Sequence, residues 1–330
     1  MDAVQKVLDS QFLTVSAYSI DGGPYVQKFE KKLAKYCGVK HAVATNSGTS
    51  ALETSLLALG IGFGDIVIVP SLTFVATANA VRSVGAKPIF CDVDAFGQLD
   101  YEKCRQAAKL AKPKAIILVD LYGTISEDAK KFHNLAPIVI EDSCQALGNP
   151  GAGTYGDVGC FSFYAAKVCT TMGNGGAVVT NDPDIAFRLK LKRNQGITVK
   201  GCITSGRNNI MNECHAAFGC VQLDKLPDFI KQRINNMRYL NLKTNNTNGY
   251  IGTLILGNRD KTKKVFHDAG IDAATYYDKP IHWHPYYQAK YSLLMTEFYA
   301  NHVLNIPVHP NVTPEQLDLM KKLLYEIDLL

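Results

Sequence analysis

One lysine of this chain has surroundings that would suit Schiff-base chemistry. Lys167 lies between a predicted strand that begins at Cys160 and the glycine-rich turn 173–176, and residues 160–176 contain no other charged side chain. An amine among apolar neighbours is partly desolvated, which favours the neutral form that attacks a carbonyl. A solvated loop lysine is the commoner explanation for any single lysine, so the case for Lys167 depends on the residues that accompany it.

A candidate phosphate site follows the first predicted strand, 41–45. Gly48, Thr49 and Ser50 begin the next predicted helix, where backbone N–H groups are free and two hydroxyl groups are available. These features suit a phosphate group. An ordinary helix N-cap has the same composition and is the commoner occurrence of such a stretch.

Two further candidates also lie at predicted strand ends, the edge at which open α/β sheets bind ligands. Asp142 ends the apolar stretch 137–140 and could hold a cationic ring nitrogen, or it could simply cap the next turn. Phe74 could stack on a ring, or it could be a core aromatic. Pyridoxal 5'-phosphate (PLP) requires four features of the protein that binds it: a phosphate site, a stacking aromatic ring, a carboxylate for the ring nitrogen and a lysine that forms a Schiff base.

The elements that must position these residues alternate between strand and helix. Short apolar strands are predicted at 41–45, 66–69, 88–91, 115–119, 138–141, 160–163 and 177–180. Helices are predicted before, between and after them at 24–36, 51–59, 74–84, 101–111, 127–132 and 184–193. This alternation predicts an α/β fold with a large, mixed but mostly parallel sheet that is covered on both faces.

The pattern changes after Gly206. Consecutive helices are predicted at 212–223 and 228–240, and a smaller unit follows with a strand at 250–256 and helices at 261–269 and 314–327. We therefore predict a large PLP-binding domain over residues 1–235 and a small C-terminal α/β domain over residues 236–330.

Composition narrows the class of protein. The chain has 330 residues, 47% of them hydrophobic, and a net charge of +5 without a basic tract, which does not favour nucleic acid or a membrane surface as partner. We find neither a signal-peptide core nor an apolar run of membrane-spanning length. Nine cysteines without a Cys-x-x-Cys pair predict reduced thiols, a cytoplasmic location and no metal site.

Nearly the whole chain resembles the sugar aminotransferases of the DegT/DnrJ/EryC1/StrS group. The resemblance implies the type I, aspartate-aminotransferase-like fold and PLP as cofactor. It is carried by an ordered set of stretches: NSGTSALETSLLALGIGFGDIVIVPSLTFVATANAV (46–81), KPIFCDVD (87–94), VIEDSCQALG (139–148), GDVGCFSFYAAK (156–167), GNGGAVVTND (173–182), RNQGI (193–197), GRNNIMNECHAAFGCVQLDKL (206–226), KPIHWHPYYQ (279–288) and NIPVHPNVT (305–313).

The resemblance also implies roles around the cofactor ring. Lys167 would form the Schiff base with the cofactor and then move a proton between the substrate carbon and the cofactor. Asp142 would pair with the pyridine nitrogen, Gln145 would lie near the phenolic oxygen, and Phe74 would stack on the ring.

Other matched positions concern the phosphate and the assembly. Thr49, Ser50 and Ser162 would hold the phosphate. Asn208 aligns with an asparagine that, in this family, reaches the phosphate from the other subunit. The resemblance therefore implies a homodimer with shared active sites.

Some positions differ from the family pattern or remain open. Segment 120–124 reads Asp-Leu-Tyr-Gly-Thr where the family often has His-Leu-Tyr-Gly-Gln, and after Thr244 the chain is about two dozen residues shorter than usual for the family. His282 and Tyr286 could line the sugar site. Arg259 is the only arginine after Tyr239, so an arginine clamp for an amino-acid carboxylate is hard to find.

These features predict a PLP-dependent aminotransferase whose partners are small molecules. A histidine replaces the lysine in the deoxygenating branch of the family, so Lys167 favours amino transfer over dehydration. The expected reaction moves an amino group from glutamate or glutamine to a keto group of a nucleotide-linked deoxysugar. The resemblance of the sequence around Lys167, including residues 170–171, to members of the family that aminate C4 implies C4 rather than C3 as the aminated carbon. The alternatives are transamination of a cyclitol or another PLP substrate, and a non-catalytic PLP-binding regulatory homologue.

Overall fold

A seven-stranded sheet lies at the centre of the larger part of the protein in the computed structural model, which describes residues 2–15, 19–288 and 291–327. Its spatial order is β1-β7-β6-β5-β4-β2-β3, and β7 alone among these strands runs antiparallel to its neighbours. The sheet confirms the predicted mixed, mostly parallel architecture. The strands are β1 (His41–Thr45), β2 (Ile66–Pro70), β3 (Lys87–Cys91), β4 (Ala115–Val119), β5 (Ile138–Asp142), β6 (Val158–Ser162) and β7 (Gly176–Thr180).

The direction of β7 follows from the short connection that precedes it. A parallel neighbour needs a crossover, usually through a helix, whereas an antiparallel neighbour can be reached by a direct return. Residues 163–175 make such a return from β6 to β7, and Lys167 lies within it. The reversal therefore holds the lysine loop at the edge where the parallel strands end.

Helices cover the sheet at positions close to those predicted. They are α1 (Asp2–Ser10), α2 (Pro24–Cys37), α3 (Gly48–Ala58), α4 (Ala76–Ser83), α5 (Tyr101–Ala111) and α6 (Pro183–Arg193), and a 3-10 helix, Ala129–Asn134, occupies the site of the helix predicted at 127–132. Helix α3 begins three residues earlier than predicted because the Ser47 side chain caps it, accepting a hydrogen bond from the backbone N–H of Ser50.

A single long helix replaces the two helices predicted between residues 212 and 240. A short hairpin of β8 (Ile197–Thr198) and β9 (Gly201–Cys202) precedes α7 (Glu213–Tyr239), which continues through Pro227. A proline inside a helix costs about 3 kcal/mol, but Leu223 and Leu226 before it and Met237 after it are all buried. Packing along this helix outweighs the lost hydrogen bond. Residue 235, the predicted domain boundary, lies within α7.

The remaining elements form a smaller unit with its own core. Strand β10 (Gly252–Ile255) pairs antiparallel with β11 (Val303–Ile306), and α8 (Arg259–Asp268), α9 (Leu294–His302), α10 (Pro314–Glu326) and a 3-10 helix, Ile281–Trp283, accompany them. Phe266, Leu304 and Leu324 are fully buried within this core. No helix of the described chain combines the length and apolar character that crossing a membrane requires.

The segment that leads into the small unit is fixed to the large one. The Asn248 side chain is fully buried, and its Nδ2 donates hydrogen bonds of 2.8 Å to the carbonyl oxygens of both Gln145 and Leu147. Its Oδ1 accepts from the Tyr250 N–H at 2.9 Å. Tyr250 is therefore held against the loop that carries Gln145.

Candidate active site

A cavity of about 410 Å³ opens at the carboxyl ends of the parallel strands. Its wall brings together most of the residues predicted from the sequence: Gly48, Thr49, Phe74, Asp142, Gln145, Ser162 and Lys167. The sequence reasoning did not select the other polar or aromatic residues of the wall, which are Ser47, Thr73, Thr77, Cys144, Tyr164, Asn174, Tyr250, Tyr276 and Tyr277.

The first turn of α3 forms one end of the cavity and requires a glycine. A Cβ atom on Gly48 would lie 2.8 Å from the Ser162 Cβ and 3.0 Å from the Cys144 Sγ, distances that are too short for packed atoms. Glycine therefore lets the free N–H groups of the turn lie directly against Ser162. An anion placed here would meet backbone donors, the Thr49 and Ser162 side chains and the positive end of a helix dipole.

Ser50 does not line this end of the cavity. Its side chain is buried, its backbone N–H donates to the Ser47 Oγ at 3.0 Å, and its own Oγ accepts from Ser47 at 2.9 Å. The serine that the start of α3 contributes to the cavity wall is Ser47, two residues before the predicted pair of hydroxyl groups. Its position immediately before the helix, where an N-cap is expected, was the available sequence signal.

Asp142 provides a fixed carboxylate on the cavity wall. It ends β5 and is 6% exposed, with Oδ2 accepting from the Thr77 hydroxyl at 2.7 Å and Oδ1 accepting from the Cys144 N–H at 3.3 Å. The Thr77 Oγ1 is itself 3.1 Å from the Thr73 Oγ1, within hydrogen-bonding distance. A carboxylate oriented by neutral donors and reachable from the cavity is suited to bind a cationic N–H group.

Gln145 and Phe74 lie beside this carboxylate. The Gln145 Oε1 accepts from the backbone N–H of Tyr122 at 2.8 Å, while its Nε2 donates to the Tyr277 hydroxyl at 3.3 Å. Phe74 is 55% exposed, and its ring centroid lies 6.1 Å from that of Tyr277. The exposed ring is therefore available to stack on a planar ligand.

Lys167 reaches the cavity from the loop between β6 and β7. Before it in the chain, the side chains alternate between the two faces of the strand: Phe161 and Phe163 are fully buried, while Ser162 and Tyr164 line the cavity. The Lys167 Nζ donates to the Tyr250 hydroxyl at 3.4 Å and lies 5.0 Å from the centroid of that ring.

Three tyrosines that follow α7 in the chain complete the wall. Tyr250 ends the fixed segment, and Tyr276 and Tyr277 precede the stretch 279–288. Burial raises the pKa of both Tyr276 and Tyr277, so each keeps its phenolic proton near neutral pH. The pair of adjacent tyrosines was the sequence signal for this part of the site, but its contact with the large unit could not be deduced locally.

Besides Ser50, three predicted site residues do not line the cavity within this chain. Asn208 is exposed, and its backbone carbonyl accepts from the Asn46 side chain at 3.2 Å. His282 is 2% exposed, with its Nδ1 2.7 Å from the Ser71 Oγ. Tyr286 is 71% exposed and away from the cavity wall.

The geometry corrects the expectation for His282. Burial lowers its pKa, and hydrogen bonding to Ser71 holds the ring inside the protein, away from the cavity wall. Arg259 is likewise no substrate clamp, because its Nη1 donates to the carbonyl oxygens of Ala300 and Val303.

Known proteins match this chain over most of its length. The model of the DegT/DnrJ/EryC1/StrS aminotransferase family matches residues 1–324. The chain is 35% identical to GDP-perosamine synthase of Caulobacter vibrioides, with 90% of this chain and 88% of that protein covered. It is 36% identical to UDP-N-acetyl-3-dehydro-alpha-D-glucosamine 3-aminotransferase of Acidithiobacillus ferrooxidans, with 87% and 84% covered.

A solved structure extends the similarity to the fold. The crystal structure of S. venezuelae DesV in complex with a ketimine intermediate superimposes with a TM-score of 0.88 at 30% identity. The match covers 98% of this chain and 93% of that one.

Proposed function

Because the chain belongs to the DegT/DnrJ/EryC1/StrS aminotransferase family and is thus a PLP-dependent aminotransferase, we propose that it aminates a keto group of a nucleotide-linked deoxysugar. The amino donor in this proposal is glutamate or glutamine. The observation that carries the proposal is the joint presence of Lys167, Asp142 and the Gly48 turn on one cavity wall. Relatives named for GDP- and UDP-linked sugars support the substrate class.

The residues of the cavity fit PLP. Gly48 leaves open a cradle of backbone N–H groups that a Cβ atom would fill, and Thr49 and Ser162 stand beside it as phosphate donors. Asp142 supplies a nearly buried carboxylate for a ring N–H, Phe74 an exposed ring for stacking and Lys167 the amine. When bound, PLP supplies an electron sink for the carbon from which a proton is removed.

Two side chains perform the protein's part of the proton chemistry in this proposal. The Asp142 carboxylate keeps a proton on the ring nitrogen, and the hydrogen bonds from Thr77 and Cys144 fix its orientation for that task. The Lys167 amine, once free, accepts and returns the proton at the substrate carbon. Tyr250, Tyr276 and Tyr277 cover this side of the cavity and limit the access of water.

We place the amination at C4 rather than C3, on the resemblance of residues 170–171 to members that aminate C4. A relative named as a 3-aminotransferase makes C3 the direct competitor. The two outcomes differ in the sugar carbon that carries nitrogen, so NMR of the product distinguishes them.

The test uses the purified chain loaded with PLP. Glutamate or glutamine is expected to bleach the Schiff-base absorbance, and a nucleotide-linked 4-keto-6-deoxyhexose is expected to restore it. Lys167→Ala is the control, because it removes the amine while leaving the fold intact. Recovery only with a keto cyclitol would replace the sugar assignment, and a spectrum inert to every amino donor would favour the regulatory homologue.

We also propose a homodimer in which Asn208 of each chain completes the site of the other. Its exposure and its absence from the wall of its own chain's cavity are compatible with this role. Dimer formation by itself would not establish the shared site, so the assignment requires the mixed-subunit test developed in the Discussion.

A further inference from the structure

The amine of Lys167 rests against one specific side chain. Its Nζ donates to the Tyr250 hydroxyl at 3.4 Å and lies 5.0 Å from the ring centroid, within the range of a cation–π contact. We propose that Tyr250 is a positioning residue that holds this amine whenever Lys167 is not covalently attached to the cofactor. The inference rests on the proposed function of Lys167.

Tyr250 is fixed through its backbone on both sides. Its N–H donates to the Asn248 Oδ1 at 2.9 Å, and its carbonyl oxygen accepts from the Arg233 Nη1 at 3.0 Å. Asn248 is fully buried and Arg233 is 7% exposed. Because buried groups hold both backbone atoms, the backbone that carries the ring remains in place when the flexible lysine side chain moves.

Other partners do not account for the position of the amine. Within residues 2–15, 19–288 and 291–327, Lys167 forms no ion pair, and the Tyr250 hydroxyl is the one hydrogen-bond acceptor of its Nζ. A phenol oxygen and a ring face can hold a protonated amine without the tight binding of a carboxylate. This combination suits a lysine that must leave its resting place and return during each catalytic cycle.

The contact matters because transamination alternates between two states of the lysine. Lys167 would hold PLP through its amine before the donor enters, and this amine would be free while the donor occupies its place. A free lysine has four rotatable side-chain bonds, so a resting contact within the cavity limits the positions from which it must return. Tyr250 therefore favours the released state and keeps the amine near its point of action.

Two substitutions separate the parts of the contact. Tyr250→Phe removes the hydroxyl and keeps the ring, whereas Tyr250→Leu removes both. Tyr325→Phe makes the same chemical change at a tyrosine on α10 that is 52% exposed, and it serves as the control. Circular dichroism and thermal unfolding of each full-length variant check that the fold is retained.

The first measurement does not depend on the cofactor. Cofactor-free protein is acylated with a limiting amount of acetic anhydride, and the modification of each lysine is quantified by peptide mass spectrometry, with the remaining lysines as internal references. Loss of the hydroxyl contact is expected to raise the acylation rate of Lys167 about 2- to 10-fold, and loss of the ring about 2- to 5-fold more. The control should match the parent.

The second measurement follows attachment of PLP itself. Titration monitored by Schiff-base absorbance should give an equilibrium constant for attachment that rises in the same order, Tyr250→Leu above Tyr250→Phe above the parent. Unchanged or slower acylation of Lys167 in both Tyr250 variants would overturn the proposal. Attachment of PLP to a different lysine in the parent would instead refute the proposed function, and the acylation result would still decide whether Tyr250 holds Lys167.

Discussion

Replacing Asn248 by alanine should weaken the join between the two units of the protein. The Nδ2 group donates two hydrogen bonds of 2.8 Å, to the carbonyl oxygens of Gln145 and Leu147, and Oδ1 accepts from the Tyr250 N–H at 2.9 Å. Alanine cannot replace any of the three. Because the side chain is fully buried, the partner groups lose their hydrogen bonds in a place that bulk water does not reach.

The magnitude follows from the number of groups left without a partner. Each buried donor or acceptor that loses its partner costs about 1–3 kcal/mol, and partial relaxation or an entering water lowers the sum. We expect a loss of about 3–5 kcal/mol in the free energy of unfolding. With an unfolding entropy of about 2.1 cal/mol/K per residue and 330 residues, this loss lowers the midpoint of thermal unfolding by about 4–7 °C.

Asn245→Ala provides a matched control three residues away. Asn245 is exposed and makes no side-chain hydrogen bond within the described part of the chain, so its substitution should change the free energy of unfolding by less than about 0.5 kcal/mol. Both variants are compared with the parent by differential scanning calorimetry and urea unfolding. Equal midpoints for Asn248→Ala and Asn245→Ala would refute the reasoning, because the two substitutions differ mainly in the buried hydrogen bonds they remove.

Three further predictions concern chemistry, assembly and pH. Asp142→Asn should retain PLP but lower turnover severely, because an amide no longer favours a protonated ring nitrogen. Cofactor content and kcat are measured on the same preparation. A turnover within a few-fold of the parent would rule out the role of Asp142 as partner of the ring nitrogen. Co-expression of Lys167→Ala and Asn208→Ala chains should restore about one quarter of all sites, because a mixed dimer gathers both lesions in one site and leaves the other intact. The measurement is the activity of tagged mixed dimers. The test requires that each single variant be impaired when expressed alone. If both are impaired and the mixed dimers recover no activity, the shared site is excluded. Burial raises the pKa of Glu141 from 4.5 to about 7. Between these pH values the folded state therefore binds more protons than the unfolded state. The contribution of Glu141 to the free energy of unfolding should then fall as pH rises from about 5 to 7. Urea midpoints across this range should show a smaller slope in Glu141→Gln, and equal slopes would contradict the assignment.

Local sequence patterns were sufficient to predict the bounds of several short elements. Strands β1 and β4 have the predicted bounds, since β4 is a wholly apolar run and β1 has an apolar centre between His41 and Thr45. Helix α5 also has its predicted bounds, since Asp100 caps its start and Lys112, in the left-handed region, ends it. Ser50 illustrates the limit of such reasoning, because Ser47 takes the cavity position while Ser50 completes the helix cap.

Long-range packing determined what the sequence alone did not reveal. Two helices were predicted between residues 212 and 240, but buried residues on both sides of Pro227 keep α7 continuous. His282 lies close in sequence to Tyr276 and Tyr277, yet burial against Ser71 removes it from the cavity while the tyrosines line it. The local periodicity of the sequence does not indicate which of these side chains lies on the cavity wall, because that depends on packing against strands far away in the chain.

The shortening after Thr244 could have supported a non-catalytic homologue with an incomplete small unit, but the contacts around the cavity argue against that interpretation. The Tyr122 hydroxyl donates to the Tyr276 carbonyl, and the Gln145 Nε2 donates to the Tyr277 hydroxyl, so the small unit is bonded directly to loops of the large one. The short connection ends with Tyr250 against the Lys167 amine. A protein that only stored PLP would need the phosphate turn and a ring partner, whereas these contacts enclose the space in front of the lysine, where a substrate must react. The small unit and the segment leading into it thus supply Tyr250, Tyr276 and Tyr277 to the wall of the cavity that contains Lys167.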